Sequence, residues 1–178
     1  MQIFLSKALF LDRDGVINIE KKYLYKVKDF EFIDGIFDLC RYYQNLGYII
    51  IVVTNQSGIA RKYYNEEDFD ILTSWMTKEF LKNCVKISKV YYCPHYPDIS
   101  GYCECRKPNI GMLLQAQKDF NIDLNNSILV GDKESDIEAG INAGLLKTYL
   151  FNQTKNIKNS KATKIIKKLK DIISVNIK

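Results

Sequence analysis

The sequence is short of several things at once. In 178 residues it has one histidine, one tryptophan and three prolines, and no apolar run that approaches a membrane span. Its first residues lack the charged-then-apolar layout of a signal peptide, so cytoplasm is the expected compartment. There is no G-x-G-x-x-G and no P-loop sequence, which leaves dinucleotide and ATP binding of those types without a motif. No internal repeat and no second domain are visible, and the length fits one domain over 1–178 able to bury a real core. The scarce residues are also gathered together. All three prolines, the histidine and three of the five cysteines fall between Cys93 and Pro108.

Composition is otherwise ordinary, with 47% hydrophobic and 26% charged residues. The net charge of +5 is not spread evenly: residues 155–178 hold eight lysines against one acid, so the rest of the chain is slightly acidic. A basic tail can touch nucleic acid or acidic lipid headgroups. The preferred reading is the solvated face of a terminal helix over about 161–173, with Ile165, Ile166, Leu169, Ile172 and Ile173 at 3–4 spacing as its buried face.

Apolar runs and helical spacings alternate along the chain. Ala8–Leu11, Tyr48–Thr54, Ile87–Tyr92, Ser127–Gly131 and Leu145–Phe151 read as buried strands. Between them, helices are expected from Ile36 to Leu46, from a cap at Asn65 to about Asn83, from a cap at Asn109 to about Phe120, and from Glu134 to Asn142. This alternation predicts an α/β fold, a doubly wound, Rossmann-like parallel sheet of about five strands, with a core over 7–150.

Polar residues recur where these strands end. Asp12 and Asp14 follow the first, Thr54 and Asn55 the second, and Asp132 and Asp136 the fourth, while Arg106 and Lys107 enter from the proline-rich segment. Ligands gather at the carboxyl ends of parallel strands, and carboxylates there are expensive to leave unpaired. Acids, a hydroxyl and a cation converging in this way suggest phosphoryl transfer with Mg²⁺, a hard cation that keeps room for a phosphate oxygen. One carboxylate would be the nucleophile, a second acid two residues on would protonate the leaving oxygen and then activate water, and a hydroxyl and a lysine would hold the phosphoryl oxygens.

DRDG (Asp12–Gly15), VVTN (Val52–Asn55), RKP (Arg106–Pro108) and GDKESD (Gly131–Asp136) resemble, in order, the four motifs of the haloacid dehalogenase superfamily of phosphatases. The resemblance implies that Asp12 is the nucleophile, Asp14 the general acid/base, and Thr54 and Lys107 the phosphoryl-stabilising pair. It implies Mg²⁺ bound by Asp12, Asp132 and the backbone carbonyl of Asp14, with Asp136 supporting Lys107 or the outer shell of the metal. The spacings from Asp12 to Thr54 and on to Lys107 leave no room for a large inserted lid, so the enzyme should be essentially capless.

The segment from Cys93 to Pro108 carries a second constellation. Cys93 and His95 are one residue apart, as are Cys103 and Cys105, and two close pairs bridged by a short loop can make a tetrahedral structural Zn²⁺ site. Disulfides are the competing reading, disfavoured in a cytosolic chain, and a chance cluster is the third. Metal would give the loop folding energy that it cannot find in a core of its own, and would position Arg106 and Lys107. Cys40 and Cys84 read as packing residues.

Within the superfamily this loop, running into RKP, resembles two subgroups, the heptose 1,7-bisphosphate phosphatases and the histidinol-phosphate phosphatases. FEFIDGI, TNQSGIAR with YYNEEDF, and GDKESDIEAGINAG lean toward the first. That resemblance implies a small-molecule sugar bisphosphate substrate, losing its C7 phosphate, and contacts from Arg13, Glu20, Lys21, Lys22, Tyr23, Asn55, Gln56, Ser57, Arg106 and Lys133. Two departures stand out: Lys22 and Lys62 each occupy a place where the family often has glycine. No membrane partner is expected, nucleic acid is disfavoured, and a monomer is the expectation. A phosphatase for nucleic-acid 3′ ends and a non-enzymatic zinc-stapled binding module are the remaining alternatives.

Overall fold

A period of two runs through the strands. In β1 (Lys7–Leu11), Leu9 and Leu11 point to one face of the sheet while Ala8 and Phe10 point to the other, and all four are fully buried. β2 (Tyr48–Asn55) and β4 (Ile128–Gly131) flank it and divide their side chains in the same way. Strands buried on both faces need cover on both, and the intervening helices provide it. α1 (Ile36–Asn45) and α2 (Glu66–Lys82) pack on the Leu9 side, with Ile36, Leu39, Leu72, Met76 and Phe80 in the core. α4 (Gly111–Phe120) and α5 (Glu134–Asn142) lie on the Phe10 side, with Met112, Leu113, Ala116 and Ala139. α3 (Pro97–Ser100) is a single turn inside the cysteine-rich loop.

The structure, a computed structural model, describes residues 5–154, 157 and 159–175. Its sheet is parallel throughout, in the order β3-β2-β1-β4-β5-β6, where β3 is Ile87–Cys93, β5 is Lys147–Phe151 and β6 is Lys164–Ile166. The order reverses direction at β1. That places a crevice outside the carboxyl ends of β2, β1 and β4, where a doubly wound sheet binds its ligands. No helix among the described residues is long and apolar enough to cross a membrane.

Helix starts follow local chemistry. Asn65 Oδ1 accepts the Asp68 amide at 2.8 Å and Asp68 Oδ2 accepts the Asn65 amide at 3.1 Å, a reciprocal cap at the head of α2. Asn109 does not cap α4, as the sequence suggested. Its side-chain amide donates to the Cys103 carbonyl at 2.7 Å, and the helix begins two residues later at Gly111. Cys40 packs in the core, but Cys84 is exposed, in a left-handed conformation (φ 61°) just beyond α2, so the packing role expected of it is corrected.

The tail departs from expectation more widely. Among the described residues there are six strands, not about five, and the helix expected over about 161–173 is replaced by β6 and a short α6 (Lys170–Val175). Without β6, the outer edge of β5 would present unpaired backbone groups. Residues Lys164–Ile166 pair with Tyr149–Phe151, and the Asn152 amide donates to the Ile166 carbonyl at 2.9 Å. The apolar residues assigned to one helical face still meet the core, since Ile166, Leu169 and Ile172 are buried, but they reach it from a strand, a turn and a helix. Lys155, Lys158 and Lys178 of the basic tail lie outside the described residues.

Candidate active site

Adjacent strands bring the acids together. Asp12 leaves β1 with its amide donating to the Val130 carbonyl of β4 at 3.0 Å, so the ends of the two strands are locked side by side. Asp132 follows β4 and leans over the loop after β1. The space for it exists because residue 15 is glycine: with φ +90°, Gly15 is already in the left-handed region, and a Cβ there would stand 2.4 Å from Asp132 Oδ2. Thr54, at the end of β2, is buried beside them.

Lys107 arrives from the far side. Its ammonium is 2.9 Å from Asp12 Oδ1 and 2.6 Å from Asp136 Oδ1, and it donates to the Val53 carbonyl at 2.7 Å. Asn55 fixes the lysine's backbone by donating to the Lys107 carbonyl and accepting the Lys107 amide, both at 3.1 Å. Burial alone would lower the Lys107 pKa, but the Asp12 and Asp136 carboxylates hold it above its ordinary value. For Asp12 burial dominates and pushes its pKa up to about 6, opposed by Lys107 and reinforced by Asp136. Asp132 is raised to about 8 by burial and then by Asp12.

Two buried acids, Asp12 and Asp136, and the half-buried Asp132 face the buried Lys107 and the exposed Lys133, whose ammonium is 3.7 Å from Asp132 Oδ2, so the acids outnumber the cations. Carboxylate oxygens of Asp12, Asp132 and Asp136 all lie within 4.8 Å of one another, and Asp132 Oδ1 is buried with no hydrogen-bond partner. These donors suit a hard divalent cation. Asp136 has both oxygens engaged, one by Lys107 and the other by the Lys133 amide at 3.0 Å, whereas Asp12 and Asp132 each have only one oxygen facing a lysine, which leaves the other for a metal.

Asp14 is held differently. Its carboxylate accepts from Arg13 (2.9 Å at the shortest), Asn18 Nδ2 (3.1 Å) and Gln56 Nε2 (2.9 Å). Arg13 was expected at the substrate. It is instead only 1% exposed, and its guanidinium also donates to Gln56 Oε1 and the Leu24 carbonyl, so that it serves Asp14 from inside the protein.

Above Asp12 and Thr54 opens a cavity of about 660 Å³. Of the expected substrate residues, Glu20, Lys22, Tyr23, Asn55, Gln56, Ser57, Arg106 and Lys133 line it. Lys21 does not; it pairs with Glu31 at the surface. Gly58, Tyr64 and Ser135 line the cavity without having been singled out. Ser135 sits inside GDKESD and could have been taken from that motif, whereas Tyr64 is brought in only by the fold. The Arg61 guanidinium, 6.0 Å from the ring centre of the lining residue Tyr23, stacks 3.7 Å from the Tyr96 ring centre.

The cysteine-rich loop closes on itself. Cys93, the last residue of β3, is 3.0 Å from Cys105 and 3.6 Å from Cys103, and those two are 3.4 Å apart. His95 Nδ1 lies 3.2 Å from Cys105 Sγ and 3.6 Å from Cys93 Sγ. All three thiols are free, at separations well beyond the roughly 2.05 Å of a disulfide. Bond lengths of about 2.3 Å to sulfur and 2.0–2.1 Å to nitrogen imply ligand separations of roughly 3.5–3.8 Å in a tetrahedron. The four atoms are gathered a little inside that frame, so the cluster could hold a metal. Arg106, next in sequence, donates back to the His95 carbonyl at 3.1 Å.

Comparisons with known proteins agree with this geometry. A family model for HAD-hydrolase-like proteins matches residues 104–171. The D-glycero-α-D-manno-heptose-1,7-bisphosphate 7-phosphatase of Campylobacter jejuni is 53% identical over 169 residues, 95% of either chain. The D-glycero-β-D-manno-heptose-1,7-bisphosphate 7-phosphatase of Haemophilus influenzae is 45% identical over 157 residues, 86% of this chain and 85% of that one. Among solved structures, D,D-heptose 1,7-bisphosphate phosphatase from B. bronchiseptica, complexed with magnesium and phosphate, matches with a TM-score of 0.83 at 26% identity, over 96% of this chain and 98% of that one. With this fold and this degree of identity, the chain is a phosphoric monoester hydrolase and belongs to the haloacid dehalogenase-like family that includes these heptose bisphosphate phosphatases.

Proposed function

We propose that the protein removes the C7 phosphate from D-glycero-D-manno-heptose 1,7-bisphosphate through a phosphoenzyme on Asp12, in heptose synthesis for bacterial surface polysaccharide. The observation that carries this is the buried pairing of Asp12 with Lys107 beside Thr54, at the floor of a cavity walled by cations. Asp12 attacks phosphorus, and Asp14 gives its proton to the departing C7 oxygen and later takes one from the attacking water. Lys107 and Thr54 hold the phosphoryl oxygens as charge builds on them. Mg²⁺ bound by Asp12, Asp132 and the Asp14 carbonyl would neutralise phosphoryl charge. Zn²⁺ on Cys93, His95, Cys103 and Cys105 would hold the loop that delivers Arg106 and Lys107.

Arg106 and Lys133 are the contacts for the second phosphate, where a guanidinium fork and an ammonium suit its oxygens. Lys22 adds a further cation to the same cavity. Higher identity to the α-named relative than to the β-named one favours the α anomer. A single domain acting as a monomer in the cytoplasm completes the reading, and free thiols in the loop accord with a reducing compartment.

Phosphate release from both heptose bisphosphate anomers and from histidinol phosphate, with and without Mg²⁺, tests it. The expected result is a large kcat/KM preference for the α-heptose bisphosphate, lost without Mg²⁺ and in Asp12→Asn. A preference for histidinol phosphate overturns the substrate, and full activity of Asp12→Asn overturns the mechanism.

A further inference from the structure

One amide nitrogen ties the acid/base to the phosphoryl site. Gln56 Nε2 donates to Asp14 Oδ2 and to Thr54 Oγ1, each at 2.9 Å. An amide has donors at one end and an acceptor at the other, so its orientation decides whether Asp14 meets an N–H or a lone pair. The acceptor end is fixed from behind. Gln56 Oε1 receives Arg13 Nη2 at 3.1 Å and the hydroxyl of Tyr64. Arginine can only donate, so a reversed amide would set N–H against N–H there and oxygen against carboxylate at Asp14. Gln56 is 2% exposed, and water cannot repair such a mismatch.

Tyr64 is itself closely seated. It is buried, its ring stacks on Tyr25 with centres 5.4 Å apart and planes 15° apart, and it lies so near Gly58 that a Cβ there would stand 2.2 Å from its Cε1. A ring gripped on two sides, with its hydroxyl on one oxygen, sets a position.

We propose that Tyr64 is a positioning residue for the chemical steps: through Gln56 it aims the Asp14 carboxyl at the oxygen that leaves and then at the water that attacks. The proposal rests on the roles given to Asp12 and Asp14 above. In the first step the Asp12 oxygen bonds to phosphorus as the bond from phosphorus to the leaving oxygen breaks, and that oxygen takes the proton of Asp14. In the second, water oxygen bonds to phosphorus as the bond to Asp12 breaks, and Asp14 takes the water's proton. Misaiming Asp14 slows both steps for a sugar phosphate. For an aryl phosphate, whose leaving group needs no proton, only the second is slowed.

The test uses the full chain with Mg²⁺, as wild type, Tyr64→Phe and Gln56→Glu, on heptose 1,7-bisphosphate and on p-nitrophenyl phosphate. Phenylalanine keeps the ring in place, and glutamate keeps the shape of the amide while removing its donor. On the sugar substrate kcat should fall about tenfold in Tyr64→Phe and about a hundredfold in Gln56→Glu, with KM within twofold of wild type. On the aryl substrate both variants should release a burst of p-nitrophenolate, up to one per enzyme, at the wild-type rate, followed by a slowed steady state. Wild-type kinetics, a raised KM at unchanged kcat, or equal slowing of burst and steady state would each overturn the role of Tyr64. Asp12→Asn separates the two levels: if it is inert while Tyr64→Phe behaves as wild type, the site stands and the positioning role falls. If Asp12→Asn turns over normally, both fall.

Discussion

Lys107 stands 2.9 Å from Asp12 across ninety-five positions of sequence, and both side chains are almost wholly buried at the floor of the cavity. A buried ion pair adds little net stability over a well-packed apolar pair, but removing one partner strands the other. Lys107→Met would leave Asp12 buried beside Asp136 with no countercharge. Denaturant unfolding should show a loss of about 3–5 kcal/mol, and kcat should fall by about 10²–10³. A loss below about 1 kcal/mol would mean that Asp12 takes up a proton or finds another partner at little cost.

The acids predict how metal and pH trade against each other. Asp12 and Asp132 have folded pKa values raised above 3.8, to about 6 and about 8. A carboxyl raised in this way stabilises the fold fully below its unfolded pKa, and that contribution is lost as pH climbs through the folded value. Metal-free protein should therefore lose stability between about pH 4 and pH 8 on account of these two groups. Mg²⁺ binds the deprotonated oxygens, so the gain in Tm on adding it should be larger at pH 8 than at pH 6. Equal gains at the two pH values would show that neither acid titrates in that window.

Metal removal should act through the loop. One zinc per chain is expected on elemental analysis. A zinc chelator should expose three further thiols to a colourless disulfide reagent, beyond that of exposed Cys84, with Cys40 remaining protected in the core. Activity should disappear in parallel, because Arg106 and Lys107 follow Cys105 directly. Retained activity after complete zinc loss would show that the contacts of Lys107 with Asn55, Asp12, Asp136 and the Val53 carbonyl suffice to hold it.

The two lysines at glycine places separate strain from function. Lys22 (φ 45°) and Lys62 (φ 60°) are both left-handed, the conformation that glycine adopts without a Cβ penalty. Only Lys22 lines the cavity, with its amide bonded to Glu20 Oε1 at 2.8 Å. Lys62→Gly should stabilise the protein by about 0.5–1 kcal/mol and leave kinetics unchanged. Lys22→Gly should give a similar gain but raise KM for the bisphosphate several-fold. Equal KM in both variants would remove Lys22 from the substrate site.

Much of this site was legible because its acids end apolar runs. A carboxylate that closes a buried strand is costly wherever the fold puts it, so Asp12, Asp14 and Asp132 announced themselves, as did the two close Cys and His pairs. Other parts carried no such mark. Arg13 between two aspartates reads like a ligand contact, and only the fold shows its guanidinium turned inward to Gln56 and the Leu24 carbonyl. Tyr64 lies among other tyrosines, and its tie to Gln56 follows from the turn between β2 and α2. The tail was misread because Ile165 and Ile166 satisfy a helical spacing and a strand equally well. The open edge of β5, invisible in the sequence of the tail itself, decided between them.

Asn55 gives Lys107 a donor and an acceptor just as a neighbouring peptide group would, so the backbone of Lys107 docks on the end of β2 as if it were one more rung of the sheet. The other end of the loop is anchored by β3, whose last residue is Cys93. Both ends are thus fastened to the scaffold, Cys93 as the last residue of β3 and Lys107 through Asn55, with the Cys and His cluster drawing together the chain between them. The stretch from Pro97 to Tyr102, between the two Cys and His pairs, is exposed and lines no part of the cavity, so a change of its length need not move the lysine from the nucleophile.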